Sequence, residues 1–297
     1  MNTHAGAGMS RSRNERLVEG EFLFTTEDFR HIAEMLHADA GISLPDTKAT
    51  LVYSRLAKRL RARGLESFRE YCDIVASEEG IDERKRMLAA LTTNVTRFFR
   101  EPHHFEHLKT HVLPPLLEAA KRGGRVRLWS AGCSTGQEPF SMALTILSLM
   151  PDAADRDIKI LATDIDPDVV AIGRRAVYPE GAMAGMPDPM RKRWMSKVDD
   201  AGGAAWQMGE ELRQLVAFRE LNLIGQWPMK GPFDAIFCRN VVIYFAEDTQ
   251  SRVWARLKSM LAPGGRLYIG HSERITGVAD SFRSDGLTTY QLMGGAR

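Results

Sequence analysis

From about residue 125 onward, short apolar runs alternate with amphipathic stretches, and this alternation restricts the fold more than any other feature of the chain. The runs at 127–130, 158–162, 216–221, 234–238 and 266–269 read as buried strands. Between them, 138–150, 167–175 and 246–261 carry helical periodicity, the second with proline in its first turn. Strands and helices alternating at this spacing predict an α/β fold, a doubly wound and mostly parallel Rossmann-like sheet. Thr288-Thr289-Tyr290-Gln291-Leu292 reads as a last strand, antiparallel to the others. The stretch 178–215 interrupts the alternation. It holds Pro179, Pro187, Pro189 and a Gly202-Gly203 pair and is too long for an ordinary connection, so an inserted subdomain is expected.

The N-terminal third has a different pattern. Thr26-Glu27-Asp28 looks like a helix start, with a hydroxyl cap and first-turn carboxylates. A second helix is expected over about 47–63, stopped by Gly64, and two more around 67–77 and 82–91. Another runs from about 103 to 121 and ends at Gly123-Gly124. The expected organisation is a disordered leader over 1–21, a helical domain over 22–93, and an α/β domain over 94–297 with its insertion at about 178–215. At 44% hydrophobic and 26% charged residues, with net charge +2, no global field favours nucleic acid or membrane. Three widely spaced cysteines, Cys72, Cys133 and Cys238, suit a reducing compartment. Without a signal-like segment or an apolar run of roughly 18 residues, a cytoplasmic protein is expected.

The chemistry concentrates at the carboxyl ends of the predicted strands. The segment 128–139 is a strand, a small-residue turn with Gly132 and Gly136, and a helix start. Glycine there lets the backbone approach a ligand beside free helix N–H groups, so Gly132 is a candidate cofactor contact. A tight turn without a ligand remains the alternative. The next strand ends in Asp164-Ile165-Asp166; Asp164 is placed for ribose hydroxyls and Asp166 for capping the following helix. This arrangement fits S-adenosylmethionine or NAD. Leu261-Ala262-Pro263-Gly264-Gly265 is a turn typical of adenosylmethionine-dependent methyltransferases. Asn240-Val241-Val242-Ile243-Tyr244 stands where amino-group methyltransferases often carry a Pro-Pro-Tyr-like turn, which argues against DNA-adenine chemistry.

Taken in order, several segments resemble the chemotaxis receptor methyltransferases, the CheR family. They are Leu91-Thr92-Thr93-Asn94-Val95-Thr96-Arg97-Phe98-Phe99-Arg100-Glu101, then 130–141, 162–166 and 232–245, then Gly270-His271-Ser272-Glu273. Order and spacing hold from about residue 22 to 292. The resemblance implies transfer of the methyl group of S-adenosylmethionine to glutamate carboxylates of methyl-accepting chemotaxis receptors. The products would be glutamate methyl esters, for sensory adaptation, and S-adenosylhomocysteine. It implies that Asn94, Thr96, Arg100, Glu138, Asp164, Asn222, Leu223, Arg239 and Asn240 contact the cofactor, with Arg100 and Tyr244 flanking the transferred methyl as catalytic residues. The implied partners are receptor cytoplasmic helices, with the membrane reached only through receptors; a monomer that binds no nucleic acid is expected. The stretch 194–203 lacks the Arg-Gly-x-Gly element of receptor-tethered relatives, so tethering is not expected.

Two further features stand on the residues themselves. Between Thr47 and Leu65 there are six basic residues and no acid. Lys48, Arg55, Lys58 and Arg59 are read as one basic face complementary to glutamate-bearing receptor helices, with a merely solvated bundle face as the alternative. His103, His107 and His111, with His104 alongside, recur at helical spacing. They are read as structural or exposed rather than metal-binding, since no further ligand completes a site. The rival readings are a methyltransferase of RNA or a small molecule, and a non-catalytic adenosylmethionine-sensing scaffold. A NAD oxidoreductase fits least.

Overall fold

Thr25 begins the first helix of the protein, one residue before the expected cap. In the computed structural model, which describes residues 15–200 and 202–294, the Thr25 hydroxyl accepts the Asp28 N–H while the Asp28 carboxylate accepts the Thr25 N–H. Helix α1 (Thr26–Ala40) stops at Gly41, and α2 (Ala49–Arg63) at Gly64, both glycines being left-handed. Helices α3 (Phe68–Ala76) and α4 (Ile81–Leu91) complete the bundle. Its core is aromatic: Phe24 and Phe68 are fully buried with ring centroids 4.3 Å apart. Of the expected leader, residues 1–14 lie outside the described residues. Residues 15–21 are described, and the Leu17 N–H donates to the Phe24 carbonyl, so the helical unit takes in part of that segment.

The chain divides after Thr92. The second unit opens with α5 (Pro102–His107), a π turn (Leu108–Val112) and α6 (Leu113–Lys121). The single helix expected here is broken for a chemical reason. Pro114 and Pro115 have no N–H to return to the carbonyls of Thr110 and His111, and the backbone widens by one residue instead. There follow β1 (Val126–Ala131), α7 (Gln137–Leu149), β2 (Ile158–Asp164), α8 (Pro167–Arg175), β3 (Val177–Pro179), α9 (Asp188–Trp194), β4 (Met195–Asp200), β5 (Gly203–Met208) and α10 (Glu210–Leu215). The unit ends with β6 (Val216–Glu220), β7 (Phe233–Cys238), α11 (Glu247–Met260), β8 (Leu261–Ile269), β9 (Phe282–Gly286) and β10 (Thr289–Leu292).

Seven strands form one sheet in the order β6-β2-β1-β7-β8-β10-β9, parallel from β6 to β8 and antiparallel at β10 and β9. This is the expected doubly wound fold with its antiparallel last strand. The stretch 261–265 is not a separate turn but the irregular first half of β8, whose register against β7 shifts between Phe233 and Ala235. The interruption after α8 folds into its own antiparallel sheet, β3-β5-β4. Because β1 has β2 on one side and β7 on the other, the order reverses between β1 and β7, and a crevice opens at their carboxyl ends. No described helix is long and apolar enough to cross a membrane.

Candidate active site

Four loops meet at this crevice. After β1, Gly132 and Cys133 both donate their N–H groups to the Thr163 carbonyl at the end of β2. Gly132 adopts φ 81°, and a Cβ there would lie 2.2 Å from Val241 Cγ2. The glycine thus lets the loop after β7 close against the loop after β1. Ser134, also at positive φ, donates its N–H to Asp164 Oδ2 at 2.8 Å, and Asp166 donates its own to Asp164 Oδ1 at 3.1 Å. Burial pushes the Asp164 carboxyl above the usual carboxylate range, while these two N–H groups oppose the shift. The Ile165 N–H opposes the shift as well, and a carboxylate with about four acceptor positions has capacity left for a hydroxyl donor. Asp166 caps α8 as expected, accepting the Asp168 N–H through Oδ1; its Oδ2 accepts from the Asn94 side chain at 2.8 Å.

At the floor of the crevice the Arg239 side chain is 1% exposed. Its Nη1 donates to Glu138 Oε2 at 3.0 Å, and its Nη2 donates to the Arg100 carbonyl and lies 3.2 Å from Glu101 Oε2. Glu138, in the first turn of α7, also accepts from the Ser130 hydroxyl at 2.7 Å. Burial raises the Glu138 carboxyl, against the pull of the Arg239 charge. For Glu101 burial pushes upward too, but the His271 ring N–H at 3.0 Å and the Arg239 guanidinium outweigh it and hold the group low. The Arg100 guanidinium donates to the Val95 carbonyl at 2.9 Å and has no other hydrogen-bond partner among the described residues.

The other predicted cofactor residues surround the same end of the sheet. Leu221 donates its N–H to the Asp164 carbonyl, which brings Asn222 beside that acid. Leu223 is buried, and its carbonyl accepts from Arg256, whose guanidinium also donates to Gly225 and lies 3.9 Å over the Trp227 ring. Asn240 sits at φ 60° directly after Arg239. Thr96 is half-buried, and Tyr244, itself 36% exposed, ends a 3₁₀ turn (Val242–Tyr244) that starts at the buried Val242.

Residues 94–291 match the family described as CheR methyltransferase, SAM binding domain, and residues 27–92 match its CheR methyltransferase, all-alpha domain. The chain belongs to the CheR methyltransferase family. It is 57% identical over 258 residues to a probable chemotaxis protein methyltransferase of Rhizobium etli, covering 86% of this chain and 96% of the relative. It is 38% identical over 265 residues to the chemotaxis protein methyltransferase of Escherichia coli, covering 89% and 90%. This CheR-family protein is therefore an enzyme that uses S-adenosylmethionine. At the switch point of the sheet the Asp164 carboxyl is buried and the Glu138 carboxyl half-buried.

The substrate-side expectation of this CheR-family chain needs correcting. Lys48 and Lys58 are exposed, but Arg55 and Arg59 are engaged within the helical unit. Arg55 donates to the carbonyls of Leu91 and Thr92 at 2.9 and 2.6 Å, closing the C-terminus of α4. Arg59 makes a two-pronged pair with Glu83 at 2.9 and 2.7 Å, and Tyr71 donates to the same carboxylate. A guanidinium fork on a helix reads as a surface charge until the acceptor it reaches, 24 or more residues away, is known.

The histidines have partners as well. His104 is fully buried with Nε2 2.8 Å from Thr288 Oγ1, and His107 Nδ1 lies 2.9 Å from the Tyr268 hydroxyl. Glu101, His103 and His104 bring one ligand-type atom each within 4.8 Å of one another. The Arg239 guanidinium beside Glu101 opposes a cation there. The sequence assigns no role to Glu101, Ser130, Arg256 or Glu273. Glu273 carries one signal, its place in the family-like segment Gly270-His271-Ser272-Glu273, four residues beyond the end of β8.

Proposed function

We propose that this enzyme esterifies glutamate side chains on the cytoplasmic helices of chemotaxis receptors. When bound, S-adenosylmethionine would supply a sulfonium methyl to the carboxylate oxygen, the O–CH3 bond forming in line as the S–CH3 bond breaks and its electron pair stays on the sulfur of S-adenosylhomocysteine. A glutamate side chain, with a pKa of about 4.3, is already ionised near neutral pH, so the protein need not remove a proton. The chain's contribution is to bind, align and exclude water. Asp164 and Asn222 hold the sugar end, Glu138 and Arg239 brace the floor, and Arg100 offers a planar fork to the incoming carboxylate. Tyr244, exposed at the end of its turn, bounds the reacting end.

The observation that carries this reading is the buried Arg239–Glu138–Glu101 cluster directly beneath Arg100 at the switch point. It fixes the backbone of the residue proposed to meet the substrate through the Arg100 carbonyl. Lys48 and Lys58 are the exposed cations of the proposed basic face left to meet an acidic receptor helix; Arg61 and Arg63, also exposed, lie near Glu21 and Glu83.

The test is methyl transfer from labelled S-adenosylmethionine to receptor-containing membranes, followed by mild base and collection of volatile methanol. Base-labile volatile label is expected. Base-stable label would mean nitrogen or carbon methylation, and label on added RNA that falls steeply with salt would mean a nucleic-acid substrate.

A further inference from the structure

We infer that Glu273 is a positioning residue for methyl transfer, acting by fixing the direction of Tyr244. The inference rests on the reading that Tyr244 bounds the reacting end of the site. Beyond β7 the chain passes through Arg239 and Asn240 and enters the 3₁₀ turn that carries Tyr244. The first N–H groups of such a turn have no partner inside it. Here they are taken by one carboxylate from a different loop. Glu273 Oε1 accepts from Val241 at 2.9 Å and Val242 at 2.8 Å, and Oε2 accepts from Asn240 at 2.8 Å and Gly270 at 2.6 Å.

Four N–H groups fill all the acceptor sites of a carboxylate. Glu273 is 6% exposed and has no cationic side chain within ion-pair distance among the described residues, so backbone dipoles alone compensate its charge. The clamp joins the loops after β7 and β8, whose last residues, Cys238 and Ile269, are paired in register. There is no slack between them: a Cβ on Gly270 would lie 2.5 Å from Asn240 Nδ2. Tyr244 is attached to this turn by its own N–H, which donates to the Val241 carbonyl at 3.2 Å. Its hydroxyl has no hydrogen-bond partner among the described residues. With no hydrogen bond at its far end, Tyr244 takes its starting Cα–Cβ direction from the turn, and Glu273 holds the backbone of that turn.

Glu273→Gln keeps the size of the side chain but turns an amide NH₂ toward two of the four N–H groups. The experiment is a double-mutant cycle with Tyr244→Ala, read as receptor-methylation kcat and, separately, as the Kd for S-adenosylmethionine. If a displaced turn misplaces the reacting end by about 1 Å, E273Q alone should lower kcat by about 100-fold. In the Y244A background it should cost almost nothing more, because the two residues act as one unit. Losses that multiply independently in the two backgrounds would overturn the inference and leave Glu273 with a structural role. So would an E273Q enzyme with unchanged kcat. A silent Y244A variant would instead remove the reading of Tyr244 on which the inference rests, and the inference with it. Should E273Q fail to fold, Gly270→Ala presses on the same loop with the carboxylate retained; the same non-additivity with Y244A is expected, and its absence would overturn the proposal.

Discussion

The Arg239 guanidinium and the Glu138 carboxylate lie 3.0 Å apart with side chains 1% and 13% exposed, and 101 residues of chain separate them. Each is an expensive group to bury alone and an acceptable one when paired. Removing one partner of a well-buried pair costs about 3–5 kcal/mol, because the other charge stays behind without compensation. Arg239→Met should therefore lower the unfolding free energy by about that amount and abolish detectable cofactor binding. Adding Glu138→Met should cost much less than its own single-variant loss. Denaturant titration with calorimetric binding measures both, and strictly additive losses would separate the two residues.

The two arginines and two lysines of the proposed basic face, Arg55, Arg59, Lys48 and Lys58, should divide cleanly. Glu83 is 2% exposed at its side chain and, although burial pushes it upward, the Arg59 pair holds it below its ordinary range. Arg59→Ala should destabilise the chain by about 2–3 kcal/mol. That is less than a fully buried pair would lose, since Arg59 keeps 24% of its surface exposed and Arg63 lies 3.6 Å from the same carboxylate. Lys48→Glu with Lys58→Glu should leave the melting temperature unchanged and slow receptor methylation. Unaltered receptor kinetics in that double variant would remove the basic face from substrate recognition.

Acid should weaken the fold through His104. Burial first, then the Arg239 charge, pushes this imidazole down to about 3, whereas in the unfolded chain it protonates near 6.5. Between those values the unfolded chain binds the extra proton, so stability falls as pH is lowered from about 6.5 to 3, by at most about 1.4 kcal/mol per pH unit. Above 6.5 the group is neutral in both states and contributes no slope. Unfolding free energies measured across this range should show the slope, and His104→Asn should reduce it. A slope untouched by H104N would place the acid sensitivity in other groups, the low-lying Glu101 first.

A peptide copying a receptor C-terminus should not bind with micromolar affinity. By the family resemblance, the stretch 194–203 corresponds to the Arg-Gly-x-Gly element of tethered relatives; here it includes the edge strand β4, which ends in Asp199 and Asp200. Calorimetric titration of the whole protein measures it, and a micromolar or tighter complex would show that the small sheet grips peptide by other means.

The sequence by itself determined the architecture and pointed to the carboxyl ends of its strands. Apolar runs at strand spacing, Gly64 closing α2, and Asp164 and Asn240 at strand ends are local signals, because period, caps and turn chemistry act over a few residues. The resemblance to the CheR family added identities, such as Arg100, that periodicity does not mark. Tertiary structure alone decided which charges are spoken for. Arg55 closes α4, Arg59 neutralises Glu83, and Arg239 joins Glu138 to Glu101, all through side chains that meet only after the chain has folded. Glu273 shows the same thing most plainly. Its four N–H partners lie 3 to 33 residues away, in two loops brought together because β7 and β8 are neighbours in the sheet. Long-range hydrogen bonding is invisible to a local pattern, since the desolvation that makes it necessary exists only in the folded core.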